Sequence, residues 1–102
     1  MYMDTERITN EFHETITKDK LAAIAKRVRA LPDATIDELW FSVGFIYSEK
    51  GSNKAISQKE IKQLKKSEAN AEMFVAHLFQ ETKVNDIEKE LRKLETKLHN
   101  GQ

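Results

Sequence analysis

Thr35-Ile-Asp-Glu-Leu-Trp-Phe-Ser-Val-Gly-Phe-Ile-Tyr-Ser-Glu-Lys50 is the stretch on which the fold turns. Leu39, Trp40, Phe41, Val43, Phe45, Ile46 and Tyr47 crowd together here, broken only by Ser42 and Gly44, and Trp40 is the only tryptophan. A helix apolar on nearly every side has to be covered from several directions. The segment therefore reads as the central helix of a bundle, and the neighbouring stretches as its cover.

Its boundaries are written in capping chemistry. Thr35 and Glu38 have the spacing of a capping box, in which each side chain satisfies the other's free backbone N–H, so the helix is predicted over about 36–50. Gly51 follows, where glycine takes the left-handed cap conformation. Downstream, Ser57 and Glu60 form a second box, with Ile56 and Ile61 at the positions of a hydrophobic staple. From there Ile61, Leu64, Ala71, Val75, Leu78 and Phe79 give one face to a helix over about 58–81, with Phe74 at its edge. Val84, Ile87, Leu91, Leu94 and Leu98 then step alternately by three and four, the a/d rhythm of a coiled coil, on a helix over about 85–99. This last stripe is rotated by nearly half a turn from the preceding one. Either the two helices are separate, or 58–99 is one long helix packed on opposite sides at its two ends.

Upstream, Pro32 ends a helix over about 18–31 whose stripe is Leu21, Ile24, Val28 and Leu31. Thr17 is its N-cap, with Ile16 and Leu21 as the staple. Ile8, Phe12 and Ile16 at four-residue spacing predict a further helix over about 4–16, capped by Asp4. The whole reads as a single all-α domain over 1–102, an antiparallel bundle of four to five helices. Three glycines and one proline are too few for the turns of an all-β chain.

Composition narrows the function. There is no cysteine, which excludes disulfides and cysteine-based metal sites. Charged residues make up 33% of the chain and the net charge is zero, so nothing draws it globally to nucleic acid or anionic membrane. No run is long and apolar enough to insert in a membrane. The first residues lack the pattern of a signal peptide, so a cytoplasmic protein is expected. Charge comes in blocks: 1–16, 32–49 and 67–82 are acidic, while 17–31 and 50–66 are basic. Such alternation suits neighbouring helices that show each other complementary edges.

Catalytic machinery is not visible. No phosphate loop, nucleophile elbow or zinc motif occurs, and His13, His77 and His99 fall on three different segments. No catalytic residue, metal ligand, cofactor or small-molecule substrate is expected. The reading adopted is a small non-enzymatic protein-interaction or regulatory module. It self-associates as a homodimer through the seam Val84, Ile87, Leu91, Leu94 and Leu98, with Glu88, Glu90, Arg92 and Lys93 setting register. Trp40 and Phe41 add to that surface, since aromatic residues are what interface hot spots are made of.

Two alternatives stand beside it. Basic residues of 18–31, chiefly Lys26, Arg27 and Arg29, followed by a short turn and another helix, have the outline of a dimeric DNA-binding regulator. Its recognition helix, however, presents Asp37, Glu38, Trp40 and Phe41, with no base-reading side chain before Lys50. In size, charge, lack of cysteine and inferred architecture the chain also resembles bacteriocin immunity proteins, small bacterial helical bundles that protect a producing cell from its own peptide. That resemblance is one of overall form and assigns no residue.

Overall fold

The computed structural model describes residues 7–47 and 56–100, the side chains of 44–47 not among them. A short hairpin, β1 (Arg7–Thr9) and β2 (Thr15–Thr17), is followed by five helices: α1 (Lys18–Arg29), α2 (Asp33–Tyr47), α3 (Gln58–Lys66), α4 (Glu68–Gln80) and α5 (Val84–Asn100). The chain is an all-α bundle with a small antiparallel ribbon at its front. No helix among the described residues is long and apolar enough to cross a membrane.

The ribbon corrects the helix expected over 4–16. Ile8 and Ile16 do share a side, but as a cross-strand pair, with Arg7 opposite Thr17 and Thr9 opposite Thr15. Arg7-Ile-Thr9 and Thr15-Ile-Thr17 alternate outward polar and inward apolar residues, and their β-branched side chains suit a pleated surface. Between them Asn10 folds the chain back: its Oδ1 accepts from the N–H groups of Phe12 (3.0 Å) and Glu14 (2.9 Å). His13 takes the left-handed region at φ 64°, where histidine is enriched among non-glycine residues. Asp4, the expected cap, lies outside the described residues.

Asn10 also anchors the ribbon. The side chain is buried, and its Nδ2 donates to the Thr82 carbonyl (2.7 Å) and to Glu14 (3.1 Å). Glu14 in turn accepts from the Val84 N–H (2.9 Å), one of the open donors at the start of α5. The Glu11 N–H donates to the Gln80 carbonyl (3.2 Å), and the Lys83 ammonium stands 5.4 Å over the Phe12 ring.

Helix starts follow the sequence in two cases and depart from it in a third. Thr17 caps α1 by accepting from the Lys20 N–H (3.1 Å), and Ile16 and Leu21 are both buried. Ser57 and Glu60 form both halves of their capping box, with Ile56 and Ile61 buried. The box at Thr35 does not form. The Pro32 carbonyl accepts from the N–H groups of Thr35 (2.9 Å) and Ile36 (3.0 Å), so α2 begins at Asp33 and Thr35 is buried in its first turn. Proline, with its fixed φ and no N–H to leave unpaired, suits a helix start. Gly51 and the end expected at Lys50 lie outside the described residues.

The helix expected over 58–81 is two. Ser67 is extended at φ −154°, ψ 159°, ending α3 and capping α4 through a bond from the Asn70 N–H (3.1 Å). Carbonyls freed at the end of α3 find donors: Asn70 Nδ2 on Gln63 (2.8 Å) and the Arg29 guanidinium on Lys65 (3.0 and 3.1 Å). A second break at 81–83 separates α4 from α5, where the buried Thr82 hydroxyl donates to the Leu78 carbonyl. The one-long-helix alternative is thereby excluded.

α1 lies chiefly on α4 and α2 on α5. The α1–α4 pair is antiparallel, since the end of α1 meets the end of α3 while the end of α4 meets the ribbon. Buried Ala25 and Ala71 bring that pair close. Within this frame α1 and α5 run parallel, tied at seven-residue intervals by Lys20–Glu88 (3.0 Å) and Arg27–Glu95 (2.6 Å). Lys97–Glu38 (3.2 Å) sets α5 antiparallel to α2. The core is one cluster, with Phe79, Ile36, Leu39, Ile61 and Leu91 among its largest fully buried side chains.

Leu91→Ala is expected to cost about 2–5 kcal/mol of unfolding free energy in urea. Asn10→Ala leaves the Thr82 carbonyl and two loop N–H groups without their protein partner and is expected to cost about 1–3 kcal/mol. A loss below a few tenths of a kcal/mol for Asn10→Ala would show that the ribbon is not anchored through it.

Candidate functional site

Three groups of residues were candidates from sequence: the 84–98 seam, the arginines of α1, and Trp40 with Phe41. The seam faces inward. Ile87, Leu91 and Leu94 are buried in the chain's own core, and Val84 and Leu98 pack partly against it. Its apolar stripe is spent on α2 and the rest of the core rather than offered to solvent.

The α1 arginines are engaged within the chain. Arg27 makes a two-pronged contact with Glu95, Nε to Oε2 at 3.0 Å and Nη2 to Oε1 at 2.6 Å. The hydrogen bond from Arg27 lowers the Glu95 carboxyl below its ordinary range, against a smaller opposing effect of burial, and the charges of Arg27 and Arg92 add to it. The same bond raises the Arg27 guanidinium. Arg29 is occupied by the Lys65 carbonyl. Of the three residues, only Lys26 stands exposed without an ion pair among the described residues.

Trp40 and Phe41 remain, and the structure adds to them. Phe41 is 54% exposed and Met73 70% exposed, the large hydrophobic side chains most open to water among the described residues. Trp40 on α2 stacks at a tilt on Phe74 of α4, ring centroids 5.4 Å apart and planes at 36°. Around this pair lies a groove of about 310 Å³, walled by Ile56, Leu64, Met73 and Phe74 and edged by Glu60, Gln63, Asn70 and His77. The helical period builds it: Asn70, Met73, Phe74 and His77 recur on one face of α4, while Ala71, Val75, Leu78 and Phe79 of the same helix are buried in the core. Sequence reasoning missed Met73. The available signal was its place three and four residues from Asn70 and His77, off the buried stripe.

Chemically the groove is an apolar floor with a polar margin, the anatomy of a protein-contact patch. Among the described residues no three His, Cys, Asp or Glu side chains gather so as to hold a metal ion. No protein-family model, curated protein or solved structure matches the chain.

The Arg27–Glu95 pair gives a pH signature. A carboxyl held below its unfolded value stabilises the fold fully above about pH 4.3 and loses that contribution as pH falls through the folded pKa. The two side chains are 37% and 34% exposed, so solvent screening limits the pair to about 1 kcal/mol. Glu95→Gln is expected to lower urea stability by that amount near neutrality and to converge on the parent in acid. An equal deficit at both ends of the titration would assign the loss to packing instead.

Proposed function

We propose that the chain is a non-enzymatic protein–protein interaction module whose contact face is the groove of Trp40, Met73 and Phe74, with Phe41 beside it. The observation that carries this is the placement of the exposed Met73 on the wall of an aromatic-floored groove. Covering a large apolar side chain of this kind is worth about 1.5–3 kcal/mol, the usual source of contact energy between proteins. Methionine adapts its unbranched side chain to an irregular partner surface, while the Trp40–Phe74 pair supplies rigid area. The margin of Glu60, Gln63, Asn70 and His77 offers donors and acceptors that fix orientation. The 84–98 seam has no part in this face, because its middle is core.

Trp40, the sole tryptophan, makes the groove observable by fluorescence. Selection of displayed random peptides on the full chain is expected to enrich sequences with an aromatic or aliphatic anchor. These should shift Trp40 emission and bind Met73→Asp at least tenfold more weakly, about 1.4 kcal/mol. Peptides that bind the variant equally well, or leave Trp40 emission unchanged, would place the contact face elsewhere.

A further inference from the structure

Two acceptors on the margin of the groove are left open, and from this we infer that its occupant is an arginine side chain presented by a partner protein. The inference rests on the protein-binding reading of the groove and names the chemistry of the partner. Glu60 is the only carboxylate lining the groove, and no lysine or arginine lines it. Its capping box uses one carboxylate oxygen: Oε1 accepts from both the N–H (3.1 Å) and the hydroxyl (3.3 Å) of Ser57. Oε2 makes no hydrogen bond or ion pair among the described residues, and the side chain is exposed. Asn70 is held in one orientation. Its Nδ2 donates to the Gln63 carbonyl (2.8 Å), which the oxygen of the amide cannot do, so Oδ1 is the end left for another molecule.

Open oxygens on the margin of an apolar wall match a side chain that brings several donors on an apolar stem. Arginine has both: a fork of N–H donors with no acceptor, on methylenes that pack along apolar surface while the charged head stays in water. Met73 and Phe74 give the stem its wall, and the Trp40–Phe74 pair supplies aromatic surface of the kind on which a guanidinium plane stacks. Lysine fits less well, because its ammonium is a point charge without the planar fork. At an exposed carboxylate the ion pair alone is worth little. Affinity comes from covering Met73 and the aromatic pair, and the arginine decides which partner is taken.

Displayed peptides that bind the full chain and shift Trp40 emission are expected to carry arginine beside their apolar anchor more often than the unselected library does. One such peptide is synthesised with arginine and again with citrulline, which nearly keeps the shape and removes the charge. Both are titrated on the parent chain and on Glu60→Gln. Glutamine serves in the same capping box, so the variant should keep its far-UV circular dichroism spectrum. Citrulline should weaken binding to the parent about tenfold, and Glu60→Gln should weaken the arginine peptide about tenfold. On Glu60→Gln the two peptides should differ by less than about threefold, since the partner of the charge is gone. Groove-binding peptides with no excess of arginine, or an equal citrulline loss on both proteins, overturn the arginine inference and leave the protein-contact reading standing. Peptides indifferent to Met73→Asp overturn that reading, and the arginine inference with it.

Discussion

One buried amide holds the molecule in its arrangement. Asn10 accepts two loop N–H groups and donates to Thr82, 72 residues away, while its partner Glu14 receives the first N–H of α5. These bonds keep the tip of the ribbon on the α4–α5 turn. Two consequences follow at opposite ends of the chain. The ribbon delivers Ile16 to the core and Thr17 to the start of α1. The turn at 81–83 is held in a shape that folds α5 back beside α1 and over α2. With α5 returned, Ile87, Leu91 and Leu94 become core. A buried polar side chain is tolerated here because every atom is bonded, and removing it would strand groups whose desolvation is already complete.

What was legible in the sequence is what is decided locally. Thr17 and the Ser57–Glu60 box cap within one turn, and the stripes of α1, α3 and α5 need only their own period. The first segment failed because Ile8, Phe12 and Ile16 satisfy helical spacing while Ile8 and Ile16 also satisfy a strand pair. The contact that decides between them is Asn10 to Thr82, which no local window contains. Ser67 failed for a related reason: Lys-Lys-Ser-Glu-Ala reads as continuous helix, and the break is sustained by Arg29 and Asn70 capping the freed carbonyls. At Thr35 the capping box failed because Pro32, read only as the end of the preceding helix, also opens the next one. Its carbonyl draws Thr35 and Ile36 inside the first turn.

The candidate site divides the same way. An a/d stripe looks identical whether its neighbour belongs to another chain or to the same one, so period alone could not say that the 84–98 seam is internal. The arginines of α1 looked available because Glu95 and the Lys65 carbonyl are distant in sequence. The charge blocks located few of the ion pairs. Of Lys20–Glu88, Arg27–Glu95, Asp33–Lys65 and Glu38–Lys97, only Asp33–Lys65 joins an acidic block to a basic one, and the other three reach residues of α5 that lie in neither.

The groove is the remainder of this arrangement. α2 is apolar on most of its sides, and α5, α3 and α4 all lean on it. Leu39 and Val43 are buried, Trp40 is half-buried and stacks on Phe74, and Phe41 is 54% exposed. A single exposed apolar residue is ordinary on any protein. Here the exposed Met73 stands on the wall of a groove that also holds the Trp40–Phe74 pair. Folding alone explains the buried side of α2. The helix that organises the core also contributes Trp40 to the groove between α2, α3 and α4.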